Sequence, residues 1–168
     1  MRDRTASLSL IAGLLVTAVP LARGAAAQEA PAIDPCAILT AADIKAVVGE
    51  AATFTPRPRR TDSGTMQAFT CTHRTPGWTV ALQIERGRTA EEVDGYVKTL
   101  DTGALTPVPG LGDRAWWRAI TPTKGILHVV RGTDIVRLQT NGTAENAGAL
   151  EQTRLLMRAA LSRYAPTP

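Results

Sequence analysis

Cys36 and Cys71 are the only cysteines in the chain, and whether they join is the strongest single constraint on its fold. The answer depends on the compartment. Arg2 and Arg4 give a positive start, residues 8–19 form an apolar core, Pro20 breaks it, and Ala25-Ala26-Ala27 offers small residues to a signal peptidase. That order reads as a secretory signal peptide, with a short uncleaved membrane anchor as the alternative; its dozen apolar residues fall short of the ~20 that a permanent membrane span needs. Cleavage after Ala27 leaves 141 of the 168 residues. An even cysteine count in an oxidising compartment favours a disulfide over two free thiols. The closed loop of about 36 residues would add on the order of 3–4 kcal/mol to stability. There is no C-x-x-C pair of the kind that tunes a redox thiol.

Export also changes the meaning of the charge. The whole chain carries +4, but the signal takes Arg2, Arg4 and Arg23 against Asp3, so the exported part carries +2. Basicity then argues weakly for a polyanion, and nucleic acid is a poor partner outside the cytoplasm.

Along the exported part, residues 28–35 read as a short flexible lead-in to one domain spanning 28–168. Thr40 is placed to cap the amide of Asp43, Ile44, Val47 and Val48 share one helical face, and Gly49 suits a left-handed stop. Strands are expected at 51–55, 66–73 and 78–85, with residues 56–64 a polar loop. The alternation of Trp78, Val80, Leu82 and Ile84 with polar neighbours is the clearest of the three. Thr89-Ala90-Glu91-Glu92 is a capping box that starts a second helix, with Val93, Tyr96, Val97 and Leu100 at helical spacing. Residues 107–113 form a rigid connection. Strands follow at 114–120, 125–131 and 134–140, the last two flanking the turn Arg131-Gly132-Thr133. A final helix covers 144–164, with Thr143 as its cap.

The order is therefore αβββ-αβββ-α. Helices do not alternate singly with strands, which argues against a parallel sheet. The expected fold is α+β, an antiparallel sheet of five or six strands with helices packed on one face. Residues 40–44 and 89–93 echo one another, each ahead of three strands; shared capping chemistry accounts for the echo without duplication.

Asp34-Pro35-Cys36-Ala37-Ile38-Leu39-Thr40, the strand Cys71 and Gly110-Leu111-Gly112-Asp113-Arg114-Ala115 resemble a group of small secreted proteins and lipoproteins of unknown function, common in actinobacteria. The resemblance implies a secreted α+β domain over about residues 34–160. It carries no catalytic residue, and the lipid-modified cysteine of many such proteins has no counterpart here.

Enzyme chemistry is thinly supplied. The exported part holds Ser63 and Ser162, His73 and His128, with no nucleophile elbow and no cluster of metal-ligand residues. Glu91 and Glu92 read as a helix-start pair, and Gly110-Leu111-Gly112-Asp113 lacks the frame of a phosphate loop. No cofactor is implied. Asn141-Gly142-Thr143 matches a glycosylation sequon but reads as a strand end. Two features suggest contact. Arg57, Arg59 and Arg60 form a basic tip suited to an anionic partner. Trp116-Trp117, in a chain with only 4% aromatics, points to opposite faces of one strand, which sends one indole away from the helix-covered core. The expectation is a secreted or periplasmic, non-enzymatic module that binds an envelope protein or a small ligand, with no membrane span left after cleavage. A small envelope hydrolase is the alternative, or a secreted enzyme inhibitor that inserts residues 56–64.

Overall fold

The computed structural model describes residues 33–100, 105–143 and 146–166, leaving the expected signal peptide outside the described residues. Asp34 opens the first helix, α1 (Pro35–Ile38). Its carboxylate accepts from the amides of Cys36 at 2.9 Å and Ala37 at 3.3 Å, with Pro35 at the first turn where its missing N–H is harmless. A lead-in reaching residue 35 therefore gives way to a short helix. α2 (Ala41–Val48) starts where expected. Thr40 Oγ accepts from the Asp43 amide at 3.3 Å, the Thr40 amide donates to Asp43 at 2.9 Å, and Gly49 ends the helix at φ 79°.

Seven strands follow rather than five or six: β1 (Arg59–Ser63), β2 (Met66–Arg74), β3 (Thr79–Arg86), β4 (Thr106–Pro107), β5 (Arg114–Thr121), β6 (Lys124–Arg131) and β7 (Asp134–Asn141). Residues 51–55 are not a strand. Pro56 and Pro58 cannot donate to a ladder, so pairing begins only at Arg59, inside the segment expected to be a loop. The short β4 lies within or beside the expected rigid connection and pairs with β5 through Thr106 and Pro107. The remaining strands match their expected positions to within one or two residues.

All pairings are antiparallel, in the order β1-β2-β3-β7-β6-β5-β4. Two three-stranded meanders thus meet at the central β3–β7 pair. α3 (Ala90–Leu100) connects them, and α4 (Asn146–Arg163) closes the described chain.

The near face of the sheet carries the main core. Val80, Leu82 and Ile84 from β3, Leu127 and Val129 from β6, and Val136 and Leu138 from β7 pack under Leu39, Ile44, Leu156, Met157 and Ala160. Burial of each such aliphatic chain is worth roughly 1.5–3 kcal/mol. The Cys36–Cys71 disulfide is formed and ties α1 to β2 at the margin of this core. Arg163 makes a forked pair with Asp43 at 2.7 and 3.0 Å, joining α4 to α2. Arg131 donates to the carbonyls of Leu161 and Tyr164 at 2.8 and 2.7 Å, satisfying the end of α4.

Helices are not confined to one face. α1, α2 and α4 cover the near face, whereas α3 lies on the far face over Trp116 and Val130. The equivalent helices ahead of the two meanders therefore sit on opposite sides of the sheet. The echo between residues 40–44 and 89–93 is one of capping: Thr89 and Glu92 exchange bonds of 2.7 and 3.2 Å just as Thr40 and Asp43 do.

Replacing Cys36 and Cys71 together by Ala should lower the unfolding free energy by about 3–4 kcal/mol. Urea unfolding of the oxidised protein against the double variant reads this directly, and coincident midpoints would refute it.

Candidate functional site

The two tryptophans divide as adjacent strand residues must. Trp117 enters the near-face core, where Gly125 leaves room for it: a Cβ there would lie 2.1 Å from the indole. Trp116 faces the other way but is not left in solvent. Val93, Val97 and Leu100 of α3 cover it together with Val130, and the two indoles are only 7% and 6% exposed. The expectation that one face lacks helices was the source of the expected free indole, and α3 removes it.

The basic trio does not form one tip. Arg57 lies in coil, whereas Arg59 and Arg60 are consecutive in β1 and project to opposite faces. Arg60 bonds Asp62 at 2.9 Å and lies over the Phe69 ring at 5.8 Å. Residues 56–64, the segment expected for inhibitory insertion, are thus largely the edge strand β1.

His73 is buried on the near face, its Nε2 within 2.8 Å of the Leu39 carbonyl and 3.5 Å from Cys71 Sγ. Burial lowers its pKa from the ordinary value. His128 lies on the far face, with Nδ1 2.5 Å from the Tyr96 hydroxyl. Burial, assisted by the charge of Arg118, lowers its pKa to about 4. Ser63 is exposed in β1, four strand steps from β6, which is roughly 19 Å. Ser162 Oγ donates to the Ala159 carbonyl at 2.8 Å. Neither serine meets a histidine in a nucleophile–base pair. Among the described residues no group of three His, Cys, Asp or Glu side chains is gathered for a metal ion.

Gly110-Leu111-Gly112-Asp113 is a clasp on the β6–β7 hairpin. Leu111 is buried, Gly112 has φ 56° and comes so close that a Cβ would lie 2.5 Å from the Val130 carbonyl. Asp113 accepts from the Gly132 amide at 2.7 Å. Shallow hollows of about 410 and 360 Å³ flank this loop.

The far face itself offers a more specific arrangement. Registered cross-strand pairs place its side chains in rows. One row runs Arg59, Thr70, Gln83, Arg137, His128, Trp116 from β1 to β5. Beside it runs Thr72, Ala81, Gln139, Ile126, Arg118, and beyond that Arg74, Thr79, Asn141, Lys124. α3 occupies only the corner marked by Trp116, His128 and Val130. The remaining rows are partly or fully exposed. They enclose a recess of about 90 Å³ lined by Thr70, Ala81, Gln83, Ile126, Arg137 and Gln139. At the border of α3, buried Glu85 is held between two guanidiniums: Arg88 at 2.6 Å, and Arg137 in direct contact. Arg88 also stacks over the Tyr96 ring at 5.7 Å.

Of the residues singled out from sequence, Arg59 and Trp116 lie in one row, with Trp116 under α3, while Arg57, Arg60 and Trp117 lie elsewhere. Arg74, Arg118, Lys124, Arg137, Gln83 and Gln139 were missed. The period-two pattern of β3 marked Gln83 as facing away from the core, but which strands flank it is a matter of long-range pairing.

No family model matches the chain, and neither a curated protein nor a solved structure matches it. No helix among the described residues is long and apolar enough to cross a membrane.

A histidine kept neutral by burial makes folding sensitive to acid. The unfolded chain takes up the proton near the ordinary value of 6.5, while folded His128 resists it down to about 4. Stability should therefore be complete above pH 6.5 and decline as pH falls toward 4. His128→Gln should flatten this decline by roughly 1–3 kcal/mol, the remainder including His73. Denaturant unfolding across pH 4–8 measures it; identical slopes in both proteins would contradict it.

Proposed function

We propose that the protein is an exported, non-enzymatic binding module whose contact surface is the uncovered part of the far face. One observation carries this reading. Among the described residues three helices cover the near face of the sheet, whereas the far face is roofed at only one corner, and the rest is a floor of Thr, Gln and Asn side chains framed by arginines. A floor of that kind offers many donors and acceptors on a rigid support, as recognition requires.

Export is part of the same proposal. The signal-like first 27 residues and a formed disulfide support an extracytoplasmic setting. So does the resemblance to small secreted proteins, whose Asp-Pro-Cys and Gly-Leu-Gly-Asp motifs have local roles here as a helix cap, a disulfide and a hairpin clasp. Trp116 supports the contact surface indirectly, by anchoring α3 beside it.

A photo-crosslinking residue at Gln139, in the middle of the floor, should give a discrete adduct in the cell envelope. The same residue at Arg158, exposed on α4, should not. Thr72→Trp, which places bulk on the floor, should abolish the adduct without moving the thermal midpoint. Absence of an adduct at 139, or one that Thr72→Trp leaves unchanged, would sink the reading.

A further inference from the structure

The charges on the uncovered part of the far face are of one sign. Arg59, Arg74, Arg118, Lys124 and Arg137 all project there, and no acidic residue shares their three rows. The nearest acid on the sheet, Glu85, is 2% exposed and already held by Arg88 and Arg137. Among the described residues Arg59, Arg74, Arg118 and Lys124 form no ion pair. Such a gathering is not dictated by composition, since the exported chain carries only +2. Like charges on one face of a sheet repel, and an anion seated among them offsets that repulsion.

The floor between the cations narrows the class of anion. It holds Thr70, Thr72, Gln83 and Gln139, with no aromatic ring on which a base or sugar could stack, because Trp116 and His128 lie beneath α3. Ile126 is its one large apolar side chain, too little to enter a bilayer. Amide and hydroxyl groups suit peptide bonds, and guanidiniums suit carboxylates in paired, forked geometry. The recess of about 90 Å³ beside Arg137 has room for a carboxylate.

We propose that the occupant is an acidic polypeptide segment, rich in Asp and Glu, laid across the rows between Arg74 and Arg118. This rests on the far face being the contact surface and adds the chemistry of the partner.

The probe is a fluorescein-labelled ten-residue Asp/Glu peptide, titrated with the disulfide-bonded protein and followed by anisotropy at 50 and 300 mM salt. Binding should weaken at the higher salt, since these charges are exposed. The triple variant R74E/R118E/K124E should bind at least tenfold more weakly. The neutral triple R74Q/R118Q/K124Q should lose less, and serves if charge reversal disturbs folding, as near-UV circular dichroism would reveal. Arg158→Glu, the same charge change on α4, should bind within twofold of the parent. Equal binding by parent and triple variants, or an equal loss in Arg158→Glu, would overturn the proposal. So would tight binding to anionic phospholipid vesicles or a sulfated polysaccharide with none to the peptide. Failure here together with a Gln139 adduct in the envelope would reject only the acidic partner. Peptide binding without that adduct would reject the functional reading and leave the chemistry standing.

Discussion

Two adjacent indoles on one strand set a requirement that much of this architecture meets. Consecutive strand residues point to opposite faces, so burying both Trp116 and Trp117 demands cover on both sides of β5. Trp117 finds it in the main core. Trp116 finds it only because α3, crossing from the first meander to the second, passes over the far face. A helix of eleven residues, Ala90–Leu100, is about 16 Å long, so it cannot roof a seven-stranded sheet. The part it leaves bare is the proposed contact surface, so packing at one edge decides what is available for binding in the middle.

The near face supplies the rigidity that such a surface needs. The central β3 and β7 strands are buried on that side by aliphatic side chains, and α4 is fastened at its carboxyl end both by Arg131 and by Arg163 with Asp43. The forked bond to Arg163 holds the Asp43 carboxyl near pKa 2, well below the ordinary 3.8, so this link persists through mild acid. At the amino end the disulfide holds α1 against β2. The far-face rows therefore stand on a sheet braced from behind.

Local chemistry was the legible part of this chain. Thr40, Thr89 and Gly49 announce helix ends through hydrogen-bonding and steric rules that act within a few residues, and the Arg131-Gly132-Thr133 turn announces its hairpin in the same way. The Cys36–Cys71 bond was legible in an even cysteine count together with the expected compartment. What stayed hidden depends on contacts between distant segments. Asp34 and Pro35, expected to end a lead-in, instead open α1, a single turn too short to show a helical period. β1 is exposed throughout and has no hydrophobic alternation to reveal it. The position of α3 is settled by Val93, Val97 and Leu100 meeting Trp116 across the sheet, a choice between two faces that helical periodicity leaves open. The far-face cations Arg59, Arg74, Arg118, Lys124 and Arg137 come from five different strands and become neighbours only through register.

The far face thus divides into a roofed corner and an open, cationic floor, and it is the floor that the proposed partner would cover. Arginine modification by a dicarbonyl reagent, read by peptide mass spectrometry, measures that division residue by residue. In the isolated protein Arg74, Arg118 and Arg158 should all react. In the intact envelope Arg74 and Arg118 should be protected while Arg158 remains reactive. Equal modification of all three in both settings would contradict the account.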